Sequence, residues 1–339
     1  MTPKERMLAV LAREIPDAVP TFEWFIDEGV GEALCDTRDP IEIVERLDID
    51  AVNLRTDYTK EWIDDETYVD EWGSKKVLTG DALAAATSHP IEDLARQADY
   101  QFPDPDGPGR FATLQRAVEL YGDRRAVVYN LRDGFSEMRD LLGYENALIG
   151  MLIDPANYVA LLQRAIEYNL KLAEIAVARF GIQIIATTDD VCQAAGPLIA
   201  PEQYEEFLAP AFREVIGGYK ALGCRVIKHC DGDVLPLLPI WIEAGIDCLD
   251  PIDPGAGMDM GDMKARFGDQ IVLKGNIDCT GDLCDGTEEQ VRQEVRECLA
   301  KGMAGGGLIL SSSNTIHRGV KPENYRAMLE ELRASGRYE

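Results

Sequence analysis

Arg225-Val226-Ile227-Lys228-His229-Cys230-Asp231-Gly232-Asp233 is a short apolar run that breaks off in a cluster of metal-capable side chains. It reads as a buried strand delivering polar groups to a loop. Side chains alternate faces along a strand, so His229 and Asp231 are expected on one side and Cys230 on the other.

Seven further runs of the same kind punctuate the chain, at 19–22, 51–54, 126–130, 184–187, 248–250, 271–274 and 308–310. With 226–227 they make eight candidate strands. Helical spacing fills most of the intervals. Residues 155–180 place Tyr158, Leu161, Leu162, Ala165, Ile166, Leu170 and Leu172 on one stripe, and Thr287 to Gln290 forms a capping box ahead of Val291, Val295 and Leu299. Residues 201–222, 236–244 and 322–332 supply further helices. Alternating strands and helices predict an α/β fold, a (β/α)8 TIM barrel in a single domain over 1–339. An open doubly wound sheet is the alternative, but no Gly-x-Gly-x-x-Gly follows the first strand.

One segment departs from the rhythm. Residues 55–90 carry Tyr58, Trp62, Tyr68, Val69, Trp72, Val77 and Leu78, interrupted by Gly73 and Gly80, which predicts a small β-hairpin excursion after the second strand. Its aromatics are expected to pack the excursion onto the barrel. The turn-rich stretch 103–109 is read as the point where the chain rejoins it.

Composition narrows the partners. The chain has 339 residues, 61 acidic against 34 basic, for a formal charge of −27, with no local basic patch. That field repels nucleic acid and anionic membranes. No apolar run is long enough to span a bilayer and residues 1–6 lack a secretory core, so a cytoplasmic enzyme is expected. Eight scattered cysteines without a Cys-x-x-Cys pair argue against a disulfide framework or a zinc knuckle.

In a barrel, chemistry gathers at the C-terminal ends of the strands. Those ends offer Glu23, Asn53 with Arg55, Asn130 with Arg132, Asp189 with Asp190, His229 with Asp231, Asp250 with Asp253, Lys274 with Asn276 and Asp278, and 311–314 followed by His317. Asp and Asn at such positions also cap helices and make turns, which is the plainer explanation for any one of them. The histidines stand out, because two of only three, His229 and His317, fall at strand ends where imidazole can ligate a metal or carry a proton. His89, before Pro90, is read as structural.

The order Asp189-Asp190, Gly196-Pro197-Leu198-Ile199-Ala200-Pro201-Glu202, Lys228-His229-Cys230-Asp231-Gly232, Gly275-Asn276-Ile277-Asp278 and a glycine-rich run before Leu308 resembles the uroporphyrinogen decarboxylase superfamily, a TIM-barrel group. The resemblance runs from Pro3 to Asn324. Asp70-Glu71-Trp72-Gly73 with His89-Pro90 is similar to its cobalamin-dependent methyltransferase branch. Decarboxylases of the superfamily carry an arginine-rich segment after the first strand to meet the substrate's carboxylates, whereas residues 21–29 here contain no arginine.

The methyltransferase branch is identified by His-x-Cys at the fifth strand and a further Cys after the eighth, which hold zinc. This chain keeps His229, places Asp231 in the Cys slot, and offers only hydroxyls, an amide and an imidazole over 310–317. Cys230 is one residue out of register and turns away. Carboxylate and imidazole ligands leave a metal a harder Lewis acid than thiolates do, which suits an oxygen-bearing substrate.

The resemblance therefore implies a methyltransferase that demethylates a small methoxylated or methylated compound and hands the methyl to a separate corrinoid protein. No Asp-x-His-x-x-Gly corrinoid signature occurs in the chain itself. The expected metal, zinc, would be held by His229, Asp231 and His317, with Glu23 as another candidate. Asp190, His229 and Asp278 are the expected catalytic groups, and Glu23, Asn130, Asn276, Ser313 and Asn314 the expected substrate contacts. A homodimer is implied by the decarboxylases. A metal-independent lyase or decarboxylase using Asp and His for proton transfer is the alternative reaction, and a non-catalytic binding barrel the alternative class.

Overall fold

The computed structural model describes residues 1–79 and 84–338. After three N-terminal helices, Pro3–Leu11, Glu28–Cys35 and Pro40–Arg46, the first strand β1 is Ala51–Arg55. Four short strands follow, β2 (Lys60–Trp62), β3 (Thr67–Asp70), β4 (Lys75–Val77) and β5 (Ala85–Ser88). They form a separate antiparallel sheet in the order β2-β3-β4-β5. Gly80, expected to interrupt this segment, lies outside the described residues.

The main sheet then continues through β6 (Ala126–Arg132), β7 (Ile184–Thr188), a small ribbon of β8 (Cys192–Gln193) and β9 (Gly196–Pro197), β10 (Arg225–His229), β11 (Cys248–Ile252), β12 (Val272–Ile277) and β13 (Leu308–Ser312). Its order is β1-β6-β7-β10-β11-β12-β13, with every pairing parallel. Strands β10 and β11 are buried along almost their whole length, as helices cover one side of the curled sheet and facing strands fill the other. Helices occupy the stretches with helical periodicity. Pro155–Phe180 begins at an Asp154 cap, and Glu288–Gly302 begins at a capping box in which Thr287 and Gln290 exchange hydrogen bonds.

The expected eighth strand is different. Residues 19–22 are extended but form no regular strand, and the sheet has seven. Pro20 has no N–H to give to a ladder. The segment still spans the gap between the two edges, since Leu310 N donates to the Pro20 carbonyl (3.0 Å) and Asp50 N donates to the Thr21 carbonyl (3.0 Å). Isolated bridges join Thr21 to Leu310 and Ile26 to Ile316. The result is a barrel-like closure made of irregular chain. No helix among the described residues is long and apolar enough to cross a membrane.

Candidate active site

Strand β10 delivers two consecutive side chains to opposite faces. Lys228 goes outward under the helices, while His229 goes inward, where its ring stacks on Trp24 with centroids 4.1 Å apart and planes 15° apart. Trp24 belongs to the irregular 19–26 segment. Its carbonyl accepts a hydrogen bond from Asn53 Nδ2 (2.9 Å), which ties the stacking partner to β1.

The imidazole is oriented from behind. His229 Nδ1 lies 2.9 Å from Asp250 Oδ2, and Lys274 Nζ donates to the other carboxylate oxygen at 2.6 Å. All three side chains are buried, and the Lys274 ammonium also lies over the Phe22 ring at 4.6 Å. Lys274 holds the Asp250 carboxyl below its usual range against the effect of burial. An ionised Asp250 accepts a hydrogen bond from Nδ1–H and turns Nε2 toward the barrel mouth. That carboxylate–imidazole arrangement is the common support of a metal-ligating histidine.

Facing Nε2 are two carboxylates. Asp231 Oδ1 lies 3.6 Å from it and Asp190 Oδ1 lies 3.9 Å from it. The three ligand atoms are all within 4.8 Å of one another. Asn314 Nδ2 donates to Asp231 Oδ2 at 2.6 Å and fixes that carboxylate's rotation. The facing oxygens of Asp190 and Asp231 are buried, and neither has a hydrogen-bond partner among the described residues. Two acceptor oxygens without hydrogen-bond partners among the described residues converge with an imidazole nitrogen, a set that fits a cation with oxygen and nitrogen ligands.

Burial pushes the Asp231 carboxyl up to about 6, with Asp190 and Asp250 adding to the rise and His229 opposing it. Burial alone would lower the His229 pKa, but the charges of Asp231, Asp250 and Asp190 outweigh it and hold it above the usual value. A bound cation would relieve both effects. The turn that carries Asp231 into place depends on Gly232. Its φ is +88°, and a Cβ there would lie 2.5 Å from the Gln193 backbone.

Other residues expected at the site are placed elsewhere. His317 is not brought to the group and is replaced there by Asp190: its Nε2 is 2.9 Å from the Cys279 carbonyl, and its Nδ1 accepts from Gly319 N at 3.1 Å. Asp278 caps its own turn, with Oδ1 accepting from Thr280 N, Thr280 Oγ1 and Gly281 N. Asn276 donates to the carbonyls of Ile252 and Met258, and Ser313 Oγ lies against Cys279. The Glu23 carboxylate accepts from both the N–H and the hydroxyl of Ser312, the latter at 2.6 Å, so it is not a ligand of the group. Asn130 Oδ1 accepts from Thr188 Oγ1 (3.2 Å), while its Nδ2 has no partner among the described residues. Cys230 is buried beside Cys192 and faces away, as strand alternation requires.

Three important groups are not singled out by sequence. Asp250 and Lys274 sit at strand ends and are visible as polar positions, but nothing in the sequence says that one clamps the other behind His229. Trp24 lies where the strand is irregular, so alternation cannot assign its face.

The family model described as uroporphyrinogen decarboxylase (URO-D) matches residues 79–335. Among curated relatives, the methylated-thiol–coenzyme M methyltransferase of Methanosarcina mazei is 26% identical over 234 residues, covering 68% of this chain and 60% of that protein. The match thus spans about three fifths of that relative's length. The uroporphyrinogen decarboxylase of Vibrio campbellii is 28% identical over 279 residues, covering 73% of this chain and 71% of that one. A solved structure described as a methyltransferase from Methanosarcina mazei superposes with a TM-score of 0.74 at 18% identity, covering 98% of this chain and 99% of that chain. At such identity the likeness establishes the fold.

Proposed function

Because this chain belongs to the uroporphyrinogen decarboxylase family, in which its relatives include both a methyltransferase and decarboxylases, we propose that it is a methyltransferase of a corrinoid-dependent system. It takes a methyl group from a small methoxylated or methylated substrate and passes it to a corrinoid carried by a separate protein. The observation that carries this reading is the convergence of Asp190 Oδ1, Asp231 Oδ1 and His229 Nε2, with both carboxylate oxygens unpartnered among the described residues.

These three residues would hold the metal, with zinc the candidate. A metal with such ligands supplies Lewis acidity toward the oxygen that bears the methyl group. The chain's own contribution is orientation. Asp250 and Trp24 fix the tilt and rotation of the imidazole, Lys274 keeps Asp250 ionised, and Asn314 aims Asp231. Rigid placement of this kind lowers the entropy cost of holding the substrate's methyl group toward its acceptor.

The sequence favours a methyl donor over a porphyrinogen. Residues 21–29 offer no arginine to meet a substrate bearing many carboxylates, whose burial without cationic partners is costly. A lyase reading keeps one specific support, the Asp231 carboxyl at about 6 beside His229, which suits proton transfer near neutral pH. Metal analysis decides between them. The purified protein should contain stoichiometric zinc, and His229→Ala and Asp231→Ala should lose it together with methyl transfer from methoxylated compounds to added cob(I)alamin. Absence of stoichiometric metal, with added zinc binding wild type and variants alike, would overturn the metal-centred reading, and full activity after chelation would favour the lyase.

A further inference from the structure

Arg55 ends β1, in register with Asn130 of β6, and its side chain remains open to solvent. It stands at the mouth end of its strand, within the field of Arg132, Asp190 and Asp140. Arg55 shares its face of β1 with Asn53, whose Nδ2 reaches the carbonyl of Trp24 in the mouth. Among the described residues, the Arg55 side chain makes no hydrogen bond and no ion pair.

Among the described residues other exposed arginines, Arg318, Arg326 and Arg337 among them, share that state, whereas the buried and half-buried arginines are matched. Arg132 is matched by Asp140 at 2.6 Å, Arg110 by Glu71, and Arg164 by the carbonyls of Gln97 and Tyr100. Burial pulls the Arg55 pKa down to about 10, with Arg132 adding to the fall, so the guanidinium is still charged at neutral pH. The carboxylates nearby are otherwise engaged. Asp140 is shared by Arg132 and Arg139, and Asp190 belongs to the metal group. A metal held by Asp190 leaves Arg55 with no counter-charge.

We propose that Arg55 receives a single carboxylate on the substrate, so that the compound demethylated here is a small methoxylated acid whose carboxylate lies at the end away from the metal group. This rests on the methyltransferase reading of the same mouth. A guanidinium presents a planar fork that a carboxylate fills with two parallel hydrogen bonds, and such charge-assisted pairs are stronger than neutral ones. With Arg132 paired to Asp140, Arg55 presents an open fork beside it, which suits a monoanion and not a polycarboxylate.

The test is binding, measured without turnover. Methoxyacetate and para-methoxybenzoate are titrated by ligand-observed NMR against their neutral amides, using wild type, Arg55→Met, Arg55→Lys and His229→Ala. In wild type at least one acid should bind roughly tenfold or more tightly than its amide. Arg55→Met should erase that preference and leave amide affinity unchanged, with a thermal midpoint equal to or above that of wild type, because an unpartnered cation has been removed. If Arg55→Met does not fold, Arg55→Lys must still lower the preference, since it keeps the charge but loses the fork. His229→Ala should retain the preference, so the subsite stands or falls separately from methyl transfer. No acid preference in wild type, a preference that survives Arg55→Met, or one that disappears with His229→Ala, which would send the carboxylate to the metal, overturns the proposal.

Discussion

Asp189 and Asp190 are neighbours in the chain, as are Lys228 and His229, yet each pair is divided between two environments. Asp189 and Lys228 face the layer between sheet and helices. There the Lys228 ammonium meets Asp133 at 2.9 Å, donates to the carbonyls of Asp189 and His229, and lies over the Trp241 ring at 5.0 Å. Asp189 takes the N–H groups of Phe135 and Ser136, the start of the helix Phe135–Leu142. Asp190 and His229 face the mouth, where Asp190 Oδ1 and Asp231 Oδ1 have no hydrogen-bond partner among the described residues. One residue of alternation separates a buried, paired charge network from a group whose facing oxygens have no hydrogen-bond partner among the described residues. The closed network is costly to break, and the open one is costly to keep.

The largest effect should come from breaking the closed side. Lys228→Met leaves Asp133 buried without its cation and should cost about 3–5 kcal/mol in urea unfolding. A loss under 1 kcal/mol would mean that the outward network is as dispensable as a surface pair.

Glu23 occupies an intermediate position, fully buried yet close to the mouth, and it makes the comparison testable by pH. Burial raises its carboxyl from 4.5 to about 7, although Lys274 and the Ser312 donors work against the rise. Below the unfolded value both states are protonated and the group contributes nothing. Between the two values the unfolded chain releases its proton first, so stability falls as pH rises and levels off above about 7. Wild type should therefore lose about 3 kcal/mol relative to Glu23→Gln between acid and mildly alkaline solution. A constant difference across that range would show that Glu23 titrates normally.

On the open side the expectation reverses. Asp190→Asn should leave metal-free stability unchanged or slightly raised, because it removes a carboxylate facing Asp231, while zinc affinity should fall at least roughly a hundredfold. Calorimetry of zinc binding alongside thermal unfolding reads both. A destabilised Asp190→Asn with unaltered zinc affinity would place Asp190 on the structural side.

The smallest change belongs to His317. With Nε2 set on the Cys279 carbonyl, His317→Gln should cost about 1 kcal/mol of stability and leave zinc affinity within error of wild type. A clear drop in zinc affinity would return His317 to the metal group.

Much of this contrast is legible in the order of the residues. The β10 run and the alternation rule put His229 and Asp231 together and turn Cys230 away, and the capping box at Thr287 marks a helix start that the structure keeps. His317 departs from its expected place because a strand-end position limits where a backbone sits but not which neighbour a ring then meets. Asp278 carries a readable local signal: an Asp two residues before Thr280 and three before Gly281 is a turn former, and those residues consume its oxygen. Residues 19–22 read as a strand because Val19 and Phe22 are apolar, whereas Pro20 decides that the ladder stays irregular.

Sequence by itself determined the repeating strand–helix order, the resemblance to a superfamily, and the presence of His229 with Asp231 on one face, because periodicity and alternation are properties of neighbouring residues. Only tertiary structure decided that Asp190 and not His317 joins them, that Asp250 and Lys274 stand behind the imidazole, and that the Arg55 side chain has no partner among the described residues. Those relations join residues tens to hundreds of positions apart. They are fixed when the sheet curls and side chains compete for the same few partners.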